Sequence, residues 1–322
     1  MPRRQRLDFK DAIQYVHLRG RKGAFVFFDP AILESRGQSP RQQAPDVRRF
    51  ETLLAATCEE CAAALLAYCI EPSAATIVLQ ITGAPLAACM RRLIGQYSRG
   101  AKSPLGGRLF AARYTSQAIA PEYLPHAVRR THRRPIETGL CRRRPDYPFS
   151  TERVYLGEGN SLPVNCSPVQ NELKQKGYFG SHGYRAFMDQ EDTPYIATLF
   201  SNGSPHDPRV VGSKAFVQHV QYMASRPPAV PTREQLLHGV AELLGKTEAE
   251  LCSATQVGVL GRALVAWYGL RSGAATLAEM GSWFSISGAT LGQALRHHRR
   301  RNPDYFKIEE LPSAKAEPPY RI

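Results

Sequence analysis

The stretch Leu65-Leu66-Ala67-Tyr68-Cys69-Ile70-Glu71-Pro72-Ser73-Ala74-Ala75-Thr76-Ile77-Val78-Leu79-Gln80-Ile81 decides the fold. Leu65 to Ile70 and Ala75 to Ile81 are apolar runs of strand length, and Glu71-Pro72-Ser73 between them is a turn, since proline cannot continue a strand ladder. Strands joined so tightly run antiparallel, because a parallel pair needs a crossover of roughly a dozen residues or more. Working outward, Ile13 to Leu18 reads as a strand, and Ala24 to Phe28 beyond a Gly20/Gly23 turn reads as its hairpin partner. Residues 31–45 read as a loop. Asp46 to Ala64 has helical spacing, with Val47, Phe50, Leu53 and Leu54 on one face, as does Pro85 to Arg99, with Leu86, Met90, Leu93 and Tyr97. A Gly106-Gly107 turn precedes a strand over Leu109 to Ile119, and Pro121 to Arg134 is a helix kinked near Pro125. Short connections and no glycine fingerprint of a βαβ unit make this an α+β domain with an antiparallel sheet.

The domain spans residues 1–157. Residues 158–226 are polar, with Gly and Pro, and are expected to be an irregular connector. Arg226-Pro227-Pro228-Ala229-Val230-Pro231 reads as a linker. Residues 227–310 then form an all-α domain, with helices over Glu234 to Leu244 (N-capped by Thr232), Leu260 to Leu270, Leu277 to Phe284 and Ala289 to Arg301, and residues 311–322 are a tail.

The chain has 322 residues, long enough for a sizeable core, and carries 42 Lys and Arg against 28 Asp and Glu. The excess is uneven: residues 1–157 hold 25 basic and 13 acidic side chains, residues 158–226 hold 6 of each, and residues 227–322 hold 11 and 9. A positive field concentrated on one domain points to a polyanion, most simply nucleic acid. No run approaches the ~20 apolar residues of a membrane helix. The basic start Met1-Pro2-Arg3-Arg4-Gln5-Arg6 leads into Leu7-Asp8-Phe9-Lys10, not into an apolar signal core. A soluble, cytoplasmic, nucleoid-associated protein without a membrane partner is expected. The seven Cys sit in apolar contexts and read as free thiols. Cys58-Glu59-Glu60-Cys61 lies in a helical pattern with no second ligand pair nearby, so no metal and no cofactor is expected.

Two segments suggest contact with DNA. Thr276 to Leu295 has helix-turn-helix logic. Leu277, Met280 and Phe284 give the first helix an apolar face, Ser285 to Gly288 make the turn, and Leu291 and Leu295 dock the second helix. Ser287, Ala289, Thr290 and Gln293 are left to face a groove, and Arg296, Arg299, Arg300 and Arg301 are in reach of phosphates. A plain helical bundle with a solvated Arg face is the competing reading. In the first domain, Arg129-Arg130-Thr131-His132-Arg133-Arg134 and Arg142-Arg143-Arg144 place seven Arg within 16 residues, interrupted by one acid, Glu137. Such a cluster repels itself unless an anion or solvent screens it, and Arg adds bidentate phosphate binding. An exposed helix face without a partner is the alternative.

These residues carry a resemblance. Residues 1–157 resemble the single-tyrosine, HUH-type transposase family whose REP-associated members handle single-stranded DNA hairpins. The stretches that match are Pro2-Arg3-Arg4 through Phe9, Tyr15-Val16 with Arg19-Gly20, Ala67 to Pro72 and Pro85-Leu86 through Arg99. Further matches are Gly107 to Phe110 with Arg113-Tyr114, Pro135 with Gly139-Leu140, Asp146 to Ser150 through Gly157, and Val211-Gly212-Ser213 with Phe216-Val217. Residues 232–306 are similar to the helical duplex-binding domain of bacterial replication initiators. The resemblance implies a ferredoxin-like sheet and a chemistry of metal-binding His-x-His, a nucleophilic tyrosine and a polar metal ligand four residues later. Here those positions fall on Ala74 and Thr76, on Arg130 and on Arg134. Ala and Thr cannot replace imidazole at a divalent cation, and Arg is no nucleophile. No His-x-His occurs in the chain.

The expectation is therefore a protein that is no longer an enzyme. It is a sequence-specific DNA-binding protein derived from a transposase, acting as a transcriptional regulator, with Arg129, Arg130, Arg133, Arg134, Arg142, Arg143 and Arg144 on DNA in the first domain. The second domain takes duplex DNA and the first a hairpin or single strand. One alternative is an active single-strand endonuclease in which Tyr123 or Tyr114 substitutes as nucleophile. Another is a regulator that senses a nucleotide in the Arg-lined pocket. Whether the protein is a homodimer is left open.

Overall fold

The computed structural model describes residues 7–21, 24–34, 39–100, 108–111, 113–159, 162–225, 230–307 and 311. The Gly106-Gly107 turn, the start of the expected linker, the N-terminal Pro2-Arg3-Arg4 and all of the tail but Leu311 lie outside the described residues. The chain divides into two compact units. One is Met1–Glu59, Ala63–Thr82 and Cys89–Pro227, and the other is Glu60–Ala62, Gly83–Ala88 and Pro228–Ile322.

In the first unit, β1 (Ala12–Arg19) is followed by the short α1 (Pro40–Gln43) and by α2 (Pro45–Glu60), then by β2 (Ala63–Glu71) and β3 (Ala74–Ile81). The hairpin forms as the Glu71-Pro72-Ser73 turn predicts, with Glu71 opposite Ala74. Then come α3 (Leu86–Gly100), β4 (Thr115–Ile119) and α4 (Leu124–Glu137). The strand order is β2-β3-β1-β4 with β5 (Val210–Val211) at the edge, and every pairing is antiparallel except β4 with β5. The result is the mixed α+β architecture expected of the first domain.

Three local expectations are corrected. Ala24 to Phe28 is not a strand: β1 already has both edges taken by β3 and β4. The segment instead bonds Val26 and Phe27 amides to the Pro72 carbonyl. Phe27 then packs on Phe50 and Tyr97 with ring centroids 4.9 and 5.5 Å apart. The strand expected from Leu109 to Ile119 is regular only from Thr115. Pro125 does not kink its helix, since it stands in the first turn where its missing N–H costs nothing, and Pro135 is the proline inside α4.

The stretch 158–226, expected to be irregular, is mostly helical. After the short α5 (Glu152–Tyr155) it forms α6 (Ser167–Gln175), α7 (Gly180–Met188), α8 (Pro194–Asn202) and α9 (Lys214–Ala224). It also supplies β5, whose Arg209 and Val211 carbonyls accept from Ala118 and Ala120 of the β4 edge. Thr193 and Ser213 N-cap α8 and α9. Each helix is too short for a long periodic signal, yet Val169, Leu173, Tyr184, Phe187, Ile196, Leu199 and Phe200 all enter one core with Val128 of α4 and Val78 of β3. That core lies on the face of the sheet that bears Ile13, Tyr15 and His17.

The second unit holds α10 (Arg233–Leu244), α11 (Glu248–Cys252), α12 (Gln256–Ser272), α13 (Leu277–Trp283) and α14 (Gly288–Arg301). Capping boxes start α10, α11 and α13 at Thr232, Thr247 and Thr276, each worth about 1 kcal/mol. The helix α12 is apolar almost all round, with Ala263 to Leu270 buried, and is the post on which the others pack. Among the described residues no helix is long and apolar enough to cross a membrane.

Candidate nucleic-acid interface

The sheet positions singled out in the sequence do converge. Ala74 and Thr76 lie on the α4-facing side of β3, and Thr76 is opposite His17 of β1, Nδ1 to Oγ1 3.0 Å. From α4, Arg134 forks onto Glu71, Nε to Oε2 3.0 Å and Nη2 to Oε1 3.2 Å. Burial, with Arg134 and Arg19 adding their charge, pulls the His17 imidazole down to about 4. Burial pushes the nearby Tyr15 phenol up to about 12 despite Arg130 and Arg134. The Arg134–Glu71 ion pair and the His17 imidazole thus stand beside Ala74 and Thr76. Among the described residues no group of three or more His, Cys, Asp and Glu is placed to hold a metal ion.

The arginine cluster is largely committed to the protein itself. Arg129 is 2 % exposed, bonded to the Phe187 carbonyl and Asp192, with its guanidinium over the Phe187 ring. Arg130 bonds the other oxygen of Asp192 and covers Phe200. Burial pushes the Asp192 carboxyl up, but hydrogen bonds from His126 and Arg129 and the charge of the arginines hold it well below the usual carboxylate range. Arg133 donates to the Gln190 carbonyl, and Arg144 bridges the buried Glu152 to Asp189. Arg142 and Arg143 are exposed, Arg143 lying 3.8 Å from Asp146. Residues 187–192, the end of α7 and the start of the loop to α8, therefore receive Arg129, Arg130, Arg133 and Arg144. The sequence shows both charge sets, but their meeting depends on the path of helices expected to be irregular.

Of the two tyrosines considered as replacement nucleophiles, Tyr123 borders this arrangement, its ring centroid 6.3 Å from that of His126. Tyr114 is buried. The Tyr123 hydroxyl is 3.5 Å from that of Tyr195, and burial and that neighbour push it up to about 12, away from phenolate.

In the second unit α13 and α14 meet at close range. A Cβ on Gly281 would stand 2.6 Å from the Ile286 carbonyl oxygen and 2.9 Å from the Gly288 amide nitrogen. One on Gly288 would stand 2.8 Å from the Ala278 amide nitrogen. Two glycines thus let the helices approach backbone to backbone across the turn, where Ser285 takes a positive φ of 55°. Leu291, Gly292 and Leu295 are buried, while Ala289, Thr290, Gln293, Arg296, His297, Arg300 and Arg301 are exposed. Ser287 caps α14, its hydroxyl accepting from the Thr290 amide and lying 2.8 Å from the Thr290 hydroxyl. Gln293, Arg296, His297, Arg300 and Arg301 are exposed at the spacing of a single face of α14. Arg299 points elsewhere, its guanidinium 5.4 Å from the Trp267 ring centroid. The helix α14 carries no acidic residue, and among the described residues no carboxylate lies within ion-pairing distance of Arg296, Arg300 or Arg301.

No protein-family model matches the chain, and no curated protein matches it. Among solved structures, a REP-associated tyrosine transposase bound to a REP hairpin is similar, with a TM-score of 0.38 and 16% identity over 49% of this chain and 86% of that one. That is a distant likeness of half the chain.

Proposed function

We propose that the chain is a DNA-binding protein that grips duplex DNA through α14 and cleaves no strand. One observation carries the reading: α14 presents Gln293, Arg296, His297, Arg300 and Arg301 along one exposed face, with no acidic residue on the helix. Arginines that meet no carboxylate among the described residues suit phosphate contacts, and the short polar residues Ser287, Thr290 and Gln293 at the start of the helix suit base edges. The pair α13–α14, closed by two glycines, then acts as a helix-turn-helix, and the biological role is transcriptional regulation. Loss of cleavage is supported by chemistry. The positions of the expected ligands and nucleophile hold Ala74, Thr76, Arg130 and Arg134, and the last two are paired with Asp192 and Glu71. The same pairing leaves a nucleotide little open guanidinium at that place.

Selection of bound fragments from a random duplex library tests the reading. A single enriched motif is expected, lost in Gln293→Ala. Enrichment of no motif, or a covalent protein–DNA adduct that Tyr123→Phe abolishes, would overturn it.

A further inference from the structure

We infer that the grip of α14 on DNA is switched by protons, with His297 as the sensing side chain and a duplex held more tightly as the pH falls from 8 to 6. That sensitivity rests on the duplex-binding reading of α14 and adds a regulation to it. The placement of the imidazole carries it. His297 is exposed and shares its helix face with Gln293, Arg296, Arg300 and Arg301. Gln293 comes four residues before it, and Arg300 and Arg301 come three and four residues after it, so the helical turn on either side belongs to the same face. A duplex whose phosphates meet those guanidiniums therefore also lies against the imidazole.

Histidine is the one side chain whose ordinary charge change falls between pH 5 and 8. A neutral imidazole offers a phosphate one N–H, whereas a protonated one offers two donors and a positive charge. Phosphate favours the protonated form, so the complex takes up a proton from solvent, and by linkage affinity rises as the pH falls. Nothing acidic in the protein competes for that charge. The helix α14 holds no Asp or Glu. Of the elements packed on it, α12 brings Arg262, which donates to the Leu251 and Ser253 carbonyls, Tyr268, which donates to the Tyr305 carbonyl, and Arg271, which lies over the Trp267 ring. From α13 comes Glu279, whose carboxylate accepts from the Thr276 amide. The turn after α14 brings the exposed Tyr305 and the pair Asp304 and Lys307, 2.9 Å apart. Among the described residues no carboxylate is within ion-pairing distance of His297. His298, next along the helix, is differently placed. Its ring stands edge-on to that of His297 with centroids 5.2 Å apart, and its Nδ1 is 3.3 Å from the Asn302 amide nitrogen. Burial, then the charges of His297 and Arg301, pull it below the ordinary imidazole value.

Fluorescence anisotropy of the full chain with a labelled mixed-sequence 30-base-pair duplex, at pH 8 and pH 6 and over a salt series, is the test. Wild type should bind roughly fivefold more tightly at pH 6 than at pH 8, the scale of one nearby opposite charge on an imidazole, with a log–log salt slope steeper by up to about 0.9. His297→Gln should remove both differences. His297→Arg should bind at pH 8 as wild type does at pH 6, and His298→Gln should leave both differences in place. Equal affinity and slope at the two pH values in wild type, or a pH effect that survives in His297→Gln, would overturn the inference. If it fails while Arg296→Gln/Arg300→Gln/Arg301→Gln still abolishes binding, the α14 reading stands without its switch. If the arginine variant binds as wild type does, both fall.

Discussion

Replacing Asp192 with Asn separates a structural from a ligand-binding role for the arginine-rich helix. The carboxylate is mostly buried and receives Arg129, Arg130 and His126. Arg129 cannot turn to water, being 2 % exposed, with Phe187 under its guanidinium and the Phe187 carbonyl as its other acceptor. Removing one member of a buried pair typically costs ~3–5 kcal/mol, because the remaining charge is stranded. Asp192 keeps some solvent and Asn keeps one acceptor, so the low end, about 3 kcal/mol, applies. With a urea m-value of about 3 kcal/mol/M for a unit of this size, the midpoint of the first unit should fall by roughly 1 M. Urea titration followed by circular dichroism reads the shift, and duplex binding at low urea should be unchanged. If Asp192→Asn left the midpoint alone and instead raised affinity for DNA, the arginines would be a masked binding surface and the structural account would be wrong.

Further outcomes follow from the same geometry. Gly288→Ala places a methyl 2.8 Å from the Ala278 amide nitrogen, so it should prise α13 from α14. Calorimetry should show the second unit destabilised by about 2 kcal/mol, with duplex affinity falling in parallel; an unchanged melting curve would contradict the close packing. The capping box at Thr276 predicts a loss of about 1 kcal/mol in Thr276→Ala, read in the same melts. The buried His132, hydrogen-bonded to Tyr184 at 2.6 Å and Thr151 at 2.8 Å, is pulled by burial and then by Arg144 down to about 3. Because the unfolded chain takes up that proton near pH 6.5 and the folded chain does not, stability should fall as pH drops from 6.5 towards 3, and His17 acts the same way down to about 4. Glu152, raised to about 7 chiefly by burial, opposes them: its contribution is full below about 4.5 and is lost as pH rises through 7. Two histidines against one carboxyl should leave the protein less stable at pH 5 than at pH 7 in urea titrations, with a smaller difference in His132→Gln. Equal or greater stability at pH 5 would contradict that balance.

The parts of the fold readable from the chain were those with local causes. The Glu71-Pro72-Ser73 turn, the periodic faces of α2 and α3 and the Thr232 cap each depend on a few neighbouring residues. The helices of residues 158–226 were hidden because α6, α7 and α8 are nine residues long and bury only a few side chains each. Ala24 to Phe28 has the composition of a strand, but its place beside β1 belongs to strands that arrive later in the chain. The candidate site divides the same way. The run Arg296 to Arg301 is visible as charge without acid, and Gly288 at the end of the Ser285 to Gly288 turn is visible too, whereas the part Gly281 of α13 plays in the close approach depends on the packing of the two helices. What separates Arg129 and Arg130 from Arg296 and Arg300 is an acid at position 192, 63 residues from the first of them. No local pattern links the two, so the arginine cluster of α4 reads in the sequence as a surface that the fold has already used.

The most direct test of the account is the salt dependence of duplex binding for Arg296→Gln/Arg300→Gln/Arg301→Gln against wild type. Each phosphate contact on a duplex contributes about 0.9 to the slope of log affinity against log salt, so three lost contacts should make it shallower by roughly 2.7. Between 50 and 200 mM salt, wild type should then lose roughly 40-fold more affinity than the variant. Parallel salt slopes for the two proteins would mean that α14 does not hold the phosphates, and the proposed grip on DNA would be contradicted.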